Sequence, residues 1–397
     1  MTTLAPDARG QPAASNVFLC LALLWLAGNG MRLTILAPPP VISLIHADLH
    51  MSETEIGLLS GIPAALFACA AVPGSLLIAR FGALTALIIG LLATALGSAL
   101  RGAAPNVAGL FAATVLTGFG VAVMQPSMPP LVRIWLPHRI SFATAVYTNG
   151  LLIGEVLPVA LTLPFVLPLV GSWRIDFAVW GALCAVIALV VFALAPRPAA
   201  AATVSAPRLW WPDWRSGLIW QLGIMLGSIN AMYFSTNFFI PRYLHETGRE
   251  SDISAALTAL NVGQIPASIL LLFIAGGLEQ RAWPYIGCGL LCLASVLSIV
   301  FGNSLMLIAG AGLLGFAAAA VLILMLALPP LLSPPEDVHR TAAAMFTISY
   351  TCAVIVPVLS GIAWDLSGIP ATAFIPIGLC VFLLILPAAT IQIRPHQ

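Results

Sequence analysis

The feature that most constrains this chain is a series of long apolar stretches joined by short polar connections. Twelve of these stretches approach or exceed the ~20 residues that a helix needs to cross a bilayer. The pattern therefore predicts an all-α membrane protein with twelve transmembrane helices. The predicted spans lie at 17–45, 53–79, 83–101, 106–132, 141–170, 174–195, 216–241, 252–277, 283–302, 304–332, 341–364 and 370–391.

The composition agrees with a membrane protein and excludes several kinds of site. Hydrophobic residues make up 60% of the chain and charged residues only 7%, whereas soluble domains carry about 25% charged residues. All fifteen basic residues are arginines, so a Schiff-base lysine is excluded. The seven cysteines lie in apolar runs and no histidine–cysteine cluster occurs, so we expect no disulfide, metal site or cofactor. No catalytic motif or basic nucleic-acid patch occurs either.

The longest polar connection, at 196–215, divides the twelve spans into two sets of six. A double proline lies near the end of the fourth and of the tenth span, in PPLVRIWLP (129–137) and PPLLSPPED (329–337), as a repeated unit would produce. The sequence therefore predicts two pseudo-symmetric six-helix bundles. The predicted segments are an N-terminal tail at 1–16, a first bundle at 17–195, a central loop at 196–215, a second bundle at 216–391 and a C-terminal tail at 392–397.

The arginines also predict how the chain is oriented in the membrane. Cytoplasmic loops carry an excess of basic residues. Ten arginines fall on the side of the termini, four on the opposite side and one inside a span. Both termini are therefore expected to be cytoplasmic. The four arginines on the outer side are Arg101, Arg174, Arg242 and Arg249.

Arg32 is the arginine inside a span. A charge near the bilayer centre costs roughly 2.5–3.5 kcal/mol on insertion scales, so an intramembrane arginine is a candidate anion site. In a continuous helix from Val17, Arg32 would lie about 22 Å along the axis and share a face with Asn29 and Trp25. The alternative is that Arg32 snorkels to the membrane surface, because the prolines from Pro38 onward would end or bend the helix about 9 Å further on.

Glu155 is the second charge expected at mid-membrane depth, in the fifth span. Three interpretations are open: a structural pair with Arg32 that neutralises both charges, a carrier of a coupled proton, or a direct contact with the substrate. The first two are compatible, because a substrate anion can displace Glu155 from Arg32 and protonation of Glu155 would ease that exchange.

Several segments resemble a known family of transporters. The turn GSLLIARFG (74–82), with twelve spans and a central loop, resembles the G-x-x-x-D-R-x-G-R turn of the major facilitator superfamily, with Ala79 at the acidic position. Within the superfamily, the chain resembles the cyanate/2-nitroimidazole transporter family over almost its whole length, for example in YTNGLLIG (147–154) and ISYTCAVIVPVLSGIAWDLSG (348–368). It departs from that family at Gln125, where an asparagine is expected, and at Glu155, where a small residue is expected.

The resemblance implies a central cavity lined by spans 1, 2, 4, 5, 7, 8, 10 and 11, which opens to each side of the membrane in turn. Polar residues at helical spacing on these spans are candidates to bind substrate, and hydrogen bonding between helices is the alternative explanation. Arg80 and Arg281, at corresponding turns of the two halves, are the candidate gating residues. The candidate substrate-binding residues are Trp25, Asn29, Arg32, Gln125, Tyr147, Asn230, Tyr233, Asn237, Gln264 and Tyr350.

The residues and the resemblance together imply a secondary active transporter, not an enzyme. It would move a small organic or pseudohalide-like anion (cyanate-like) across the inner membrane of a bacterium, with Arg32 binding the anion and Glu155 coupling protons. The alternatives are proton-driven efflux of a small heterocyclic compound (nitroimidazole-like) and a membrane sensor that moves no substrate. The expected partners are the small-molecule substrate, protons and the lipid bilayer, without nucleic acid, and the protein is expected to be a monomer.

Overall fold

The computed structural model describes residues 14–51, 53–196, 209–274 and 276–390. The predicted C-terminal tail at 392–397 lies outside these ranges, as do most of the predicted N-terminal tail at 1–16 and of the central loop at 196–215. The bundle boundaries at 17–195 and 216–391 stay predictions.

The described residues form fifteen α-helices, joined by short turns. Helices α1 to α8 belong to the first half of the chain, and α9 to α15 belong to the second half. They are α1 (Ala14–Gly30), α2 (Pro38–Leu49), α3 (Glu53–Phe81), α4 (Ala83–Ala103), α5 (Val107–Trp135), α6 (Ile140–Leu161), α7 (Leu167–Val170), α8 (Trp173–Leu194), α9 (Gly217–Glu246), α10 (Ile253–Val262), α11 (Gln264–Ile274), α12 (Ala282–Phe301), α13 (Ser304–Leu332), α14 (Val338–Ser367) and α15 (Phe374–Thr390).

These helices confirm the twelve spans expected from the sequence. Within the described residues, eleven helical segments are long and apolar enough to cross a membrane, and the shorter apolar helix Val17–Gly30 supplies the first span. Three spans are built from two helices each: α1 with α2, α6 with α7, and α10 with α11. A π-helical turn at Thr162–Val166 joins α6 to α7, and it contains Pro164, which has no N–H to continue the α-helical ladder.

The first span corrects one expectation about Arg32. The sequence predicts Arg32 inside a continuous helix, but α1 ends at Gly30 and Arg32 lies in the turn that follows, at residues 31–37. There the backbone N–H of Arg32 bonds to the Asn29 carbonyl at 3.0 Å, which is the tight pattern of a helix end. Prolines at 38–40 lack the N–H groups that would bond to the carbonyls of residues 34–36, so an α-helix cannot run through this segment.

The two halves pack against each other along a few helices. Helix α3 lies along α14, α6 lies against α11, and α5 and α6 both contact α13. Residues carried by α3, α5, α6 and α14 therefore come close to one another where the halves meet.

A close approach between α1 and α6 sets where Arg32 and Glu155 lie relative to each other. Gly150 and Gly154 of α6 face the α1 backbone: a Cβ on Gly150 would overlap the Trp25 carbonyl, and one on Gly154 would overlap the Asn29 backbone. Small residues allow transmembrane helices to approach in this way. Because Gly154 precedes Glu155 and Asn29 lies at the end of α1, this contact brings the carboxylate beside the turn that carries Arg32.

Replacing Gly154 by alanine is expected to lower the free energy of unfolding by about 1–3 kcal/mol, because the added methyl forces α1 away from α6. Thermal unfolding in detergent measures this. The matched control is Gly287→Ala in α12, where a Cβ meets no atom within 4 Å. The control should be unchanged or slightly stabilised, since alanine favours a helix. A Gly154→Ala variant as stable as the control would show that the close approach is dispensable.

Candidate substrate-binding site

Arg32 is held between the two halves of the protein. Its Nη2 donates a hydrogen bond to the Tyr350 hydroxyl of α14 at 3.3 Å, and its Nε lies 3.3 Å from Glu155 Oε1 of α6. The Nε–H is not aligned with that oxygen and makes no hydrogen bond. Arg32 and Glu155 therefore attract each other mainly through their charges and do not form the two-pronged bond that fixes an arginine on a carboxylate. Their side chains keep 12% and 22% of their surface exposed, so neither is sealed off.

Aromatic rings cover one side of the Arg32 guanidinium. Its Cζ lies 5.6 Å from the centre of the Phe67 ring of α3, within the range of a cation–π contact. Phe67 in turn packs against Tyr350 with ring centres 5.0 Å apart, and Phe346 stacks on Tyr350 at 6.4 Å. The three rings are themselves buried, so this side of Arg32 is packed with aromatic side chains.

Tyr350 joins the polar groups of the two halves. Its hydroxyl accepts hydrogen bonds from Arg32 Nη2 and from Gln125 Nε2 of α5, the latter at 2.8 Å. Among the described residues its own proton has no acceptor, so this hydroxyl still has a donor to offer a ligand. Tyr350 belongs to the second half, whereas Arg32, Gln125 and Glu155 belong to the first, so a ligand bound here contacts both halves.

The second half supplies a separate hydrogen-bond network. The Tyr233 hydroxyl donates to Asn261 Oδ1 at 2.6 Å and accepts from Gln264 Nε2 at 2.8 Å. Asn261 Nδ2 donates to Asn237 Oδ1 at 3.0 Å, and Asn237 Nδ2 donates to the Tyr233 carbonyl at 3.1 Å. These groups satisfy one another, so most of them must exchange a protein partner in order to bind a ligand. Tyr233 lies near enough to interact electrostatically with the Arg32–Glu155 pair.

Other candidate residues make contacts away from Arg32. Asn230 of α9 donates to Ser349 Oγ of α14 at 2.8 Å, a bond within the second half. Asn29 Nδ2 donates to the backbone carbonyl of Trp25 at 3.0 Å. Tyr147 is 2% exposed, and its hydroxyl has no hydrogen-bond partner in the described part of the chain. For these polar residues the alternative to substrate binding is hydrogen bonding between helices, and the contact of Asn230 with Ser349 is of this kind.

The indole of Trp25 takes part in a tie between the halves. Its Nε1 donates to Asn149 Oδ1 at 3.0 Å, and Asn149 Nδ2 donates to Ser268 Oγ of α11 at 2.9 Å. Asn149 lies six residues before Glu155 on α6, so this tie is displaced from the ion pair toward the start of that helix. The indole N–H of Trp25 is thus occupied by protein in this conformation.

Further ties lie at one end of the molecule, where α5 ends and α6 begins. Ser141 donates to Glu279 Oε1 at 2.7 Å, and Arg133 donates to the Ser333 carbonyl. Ser75 donates to the Trp210 carbonyl at 2.8 Å. The candidate gating residues Arg80 and Arg281 are exposed at this same end, and their role stays a prediction.

Two residues that make these contacts, Phe67 and Asn149, are not among the candidates predicted from the sequence. Phe67 gave no signal, because one more phenylalanine in an apolar span does not stand out by charge or polarity. Asn149 did offer a signal, being an amide inside an apolar helix within the segment YTNGLLIG (147–154), two turns before Glu155.

The family comparison assigns the protein to a class. The family model of the Major Facilitator Superfamily matches residues 18–284, which is more than half of the chain. The chain belongs to this superfamily and is a multi-pass membrane transporter.

Individual relatives confirm the narrower resemblance. The chain is 26% identical to the cyanate transport protein CynX of Escherichia coli (strain K12) over 367 residues, covering 88% of this chain and 90% of the relative. It is 25% identical to the 2-nitroimidazole transporter of the same organism over 368 residues, covering 90% and 91%. The fold is similar to the crystal structure of the superfamily transporter FucP, with a TM-score of 0.70, 12% identity, and coverage of 94% of this chain and 99% of FucP.

Changing Tyr350 to phenylalanine is expected to lower the free energy of unfolding by about 1–3 kcal/mol, because Gln125, which is 2% exposed, then loses its hydrogen-bond acceptor. Adding Gln125→Leu to this variant should recover part of the loss, since removing both partners costs less than orphaning one. Thermal unfolding of the two single variants and the double variant measures this. A double variant whose loss equals the sum of the single losses would contradict a bond between the two side chains.

Proposed function

We propose that this transporter moves a small anion of the cyanate type, and that Arg32 binds the negative charge. The observation that carries the proposal is that the Arg32 guanidinium meets Tyr350 of the second half and Glu155 of the first. An anion bound to Arg32 would accept a hydrogen bond from the free hydroxyl proton of Tyr350. Binding would thus draw the two halves together over the ligand, which is what alternating access requires.

The charges at the site favour coupling of the anion to a proton. Arg32 and Glu155 neutralise each other when both are ionised, so an incoming anion competes with the carboxylate for the guanidinium. A proton on Glu155 removes that competitor and leaves Arg32 with its positive charge. Anion and proton together add no net charge to the buried site, and this avoids the cost of placing an unpaired charge in the membrane.

The contacts between the halves support a direction of opening. Ser141 and Arg133 bond across to the second half at the end where α6 begins, and Ser75 bonds there to Trp210 of the central loop. At the opposite end, the described ion pairs stay within one half: Arg174 with Asp48 at 2.8 Å, and Arg249 with Asp252 at 3.2 Å. With both termini cytoplasmic, as the arginine distribution predicts, the closed end faces the cytoplasm, as in an outward-facing state of the transport cycle. We propose that the protein is a monomer in a bacterial inner membrane.

A second candidate function is efflux of a small heterocycle of the nitroimidazole type. The buried rings of Phe67 and Tyr350 beside Arg32 favour it, because a flat neutral ligand that replaced part of this aromatic packing would stack on a ring and would not need the charge of Arg32. The two candidates differ in what Arg32 does: the anion needs its charge, whereas the heterocycle needs the rings.

Replacing Arg32 tests the choice. Arg32→Ala and Arg32→Lys should each abolish cyanate counterflow in proteoliposomes, since a compact ammonium group does not reproduce the planar guanidinium. The control Arg242→Lys changes an exposed arginine and should leave counterflow unchanged. Binding measured by calorimetry on the purified variants separates lost affinity from lost movement.

The outcomes of this test discriminate the alternatives. Cyanate affinity at the wild-type level in both Arg32 variants would overturn the anion site. Counterflow of 2-nitroimidazole that survives in Arg32→Ala, without any cyanate counterflow in the wild type, would favour the heterocycle. Absence of counterflow of either compound in the wild type would favour a sensor.

Replacing Glu155 by glutamine tests proton coupling. In the wild type, affinity for the anion should rise as the pH falls, because protonation of Glu155 frees Arg32. Glu155→Gln should bind the anion with a pH-independent affinity close to the wild-type value at low pH. Exchange down a gradient should survive, and accumulation driven by a proton gradient should be lost. Measurements of counterflow and of pH-jump uptake in the same vesicles check both parts.

If Glu155 only neutralises Arg32, Glu155→Gln will instead lower the unfolding temperature and the affinity while the pH dependence of transport stays as in the wild type. Normal proton-driven accumulation by the variant would contradict the carrier role.

A further inference from the structure

Arg101 is a second buried arginine of the first half. The arginine count placed it on the outer side, and it lies in the last turn of α4 with 1% of its surface exposed. No acidic side chain of the described residues lies within ion-pair distance of it. Burying an unpaired cation is costly. The hydrogen bonds of Arg101 must offset this cost, so they indicate the role of the arginine at this position.

The strongest of these bonds reaches the turn that carries Arg32. Arg101 Nη1 donates to the Thr34 carbonyl at 2.7 Å. That carbonyl lacks its helical partner, since the residue four positions on is Pro38, which has no N–H. Arg101 therefore satisfies a backbone acceptor that the sequence itself leaves open, in a place where a buried unsatisfied carbonyl would be costly.

Arg101 is itself held from the other side by α5. Its Nε donates to Thr114 Oγ1 at 3.0 Å, and the Thr114 hydroxyl donates to the Leu110 carbonyl at 2.8 Å. The guanidinium is thus fixed between α5 and the turn at residues 31–37. The donors of the planar guanidinium have fixed relative positions, so a shift of α5 would also shift the turn to which Arg101 is bonded.

The turn passes this constraint on to Arg32. Only Leu33 separates Arg32 from Thr34, and the N–H groups of Ile35 and Leu36 both bond to the Arg32 carbonyl, at 3.1 and 3.2 Å. The segment from Arg32 to Leu36 therefore moves as one unit. A shift of the Thr34 carbonyl would shift the Arg32 backbone, and with it the reach of the guanidinium toward Glu155 and Tyr350.

We propose that Arg101 is a positioning residue that sets Arg32 for binding the substrate anion; this rests on the proposed function of Arg32. Arg101 does not touch the ligand. It fixes the non-helical turn after α1. The backbone of Arg32 is therefore already ordered when the anion binds to its side chain. The competing explanation is that Arg101 only stabilises the carboxyl end of α4, where a cation is favourable.

The transport test compares three variants with a control in α4. Arg101→Met keeps an unbranched apolar stem and removes the donors; it should raise KM for cyanate counterflow about tenfold, with the maximal rate within about twofold of the wild type. Arg101→Lys retains a donor and should recover part of the KM. Thr114→Val removes one anchor of Arg101 and should raise KM about threefold. The control Ser98→Ala removes a buried bond to the Phe177 carbonyl, one turn earlier on α4, and should leave KM unchanged.

A second measurement does not depend on the substrate. Without ligand, the shifts in unfolding temperature caused by Arg101→Met and Glu155→Gln should not add in the double variant, because both act on Arg32. The shifts caused by Ser98→Ala and Glu155→Gln should add. If wild-type protein shows no cyanate counterflow, the proposed substrate fails and this cycle still tests Arg101. Additive shifts for Arg101→Met with Glu155→Gln, or a wild-type KM in Arg101→Met, would overturn the proposal. If Arg101→Met does not fold, the same two measurements are read from Thr114→Val.

Discussion

The rest of this site depends on one interaction inside the membrane bundle, between the Arg32 guanidinium and the Glu155 carboxylate, which lie 3.3 Å apart. Either charge alone would be expensive in a low-dielectric interior, and together they are tolerable. Two features of the first half bring these side chains together. Gly154 allows α6 to approach the end of α1, and the broken first span turns Arg32 toward both Glu155 and Tyr350. Arg32 Nε makes no aligned hydrogen bond to Glu155, and the proposed exchange of Glu155 for a substrate anion would break no such bond.

The polar groups of the two halves are organised differently. The first half holds both charges, and its Gln125 bonds across to Tyr350. The second half holds a neutral network in which Tyr233, Asn237, Asn261 and Gln264 satisfy one another. Such a network keeps its shape without a ligand, and it presents amide and hydroxyl groups whose partners can be exchanged at small net cost. On the proposed function, the first half would bind the ligand's charge and the second half would supply hydrogen bonds.

The sequence was sufficient for the class and for most of the fold, because span length and hydropathy are properties of single segments. Counting along those segments also predicted similar depths for Arg32 and Glu155, and the two side chains lie 3.3 Å apart. The break after Gly30 did not follow: the sequence predicts that the prolines at 38–40 end or bend the helix, whereas they begin α2 and leave the preceding carbonyls without helical N–H partners. The place of Arg101 and the contact of Phe67 with Arg32 were likewise out of reach. Both depend on which helices become neighbours, and no periodicity within one span records that.

The ties between the halves share one property that bears on how the protein moves. In the described residues, each ion pair lies within a single half, and the bonds that cross between halves end on hydroxyl, amide or backbone carbonyl groups, with Glu279 and Arg133 meeting neutral partners. Bonds of this kind exchange readily for bonds to water. Rocking of the halves would therefore separate none of these described ion pairs. Its rate should depend on how water enters the opening seam and should respond only weakly to ionic strength, which screens charges rather than hydrogen bonds.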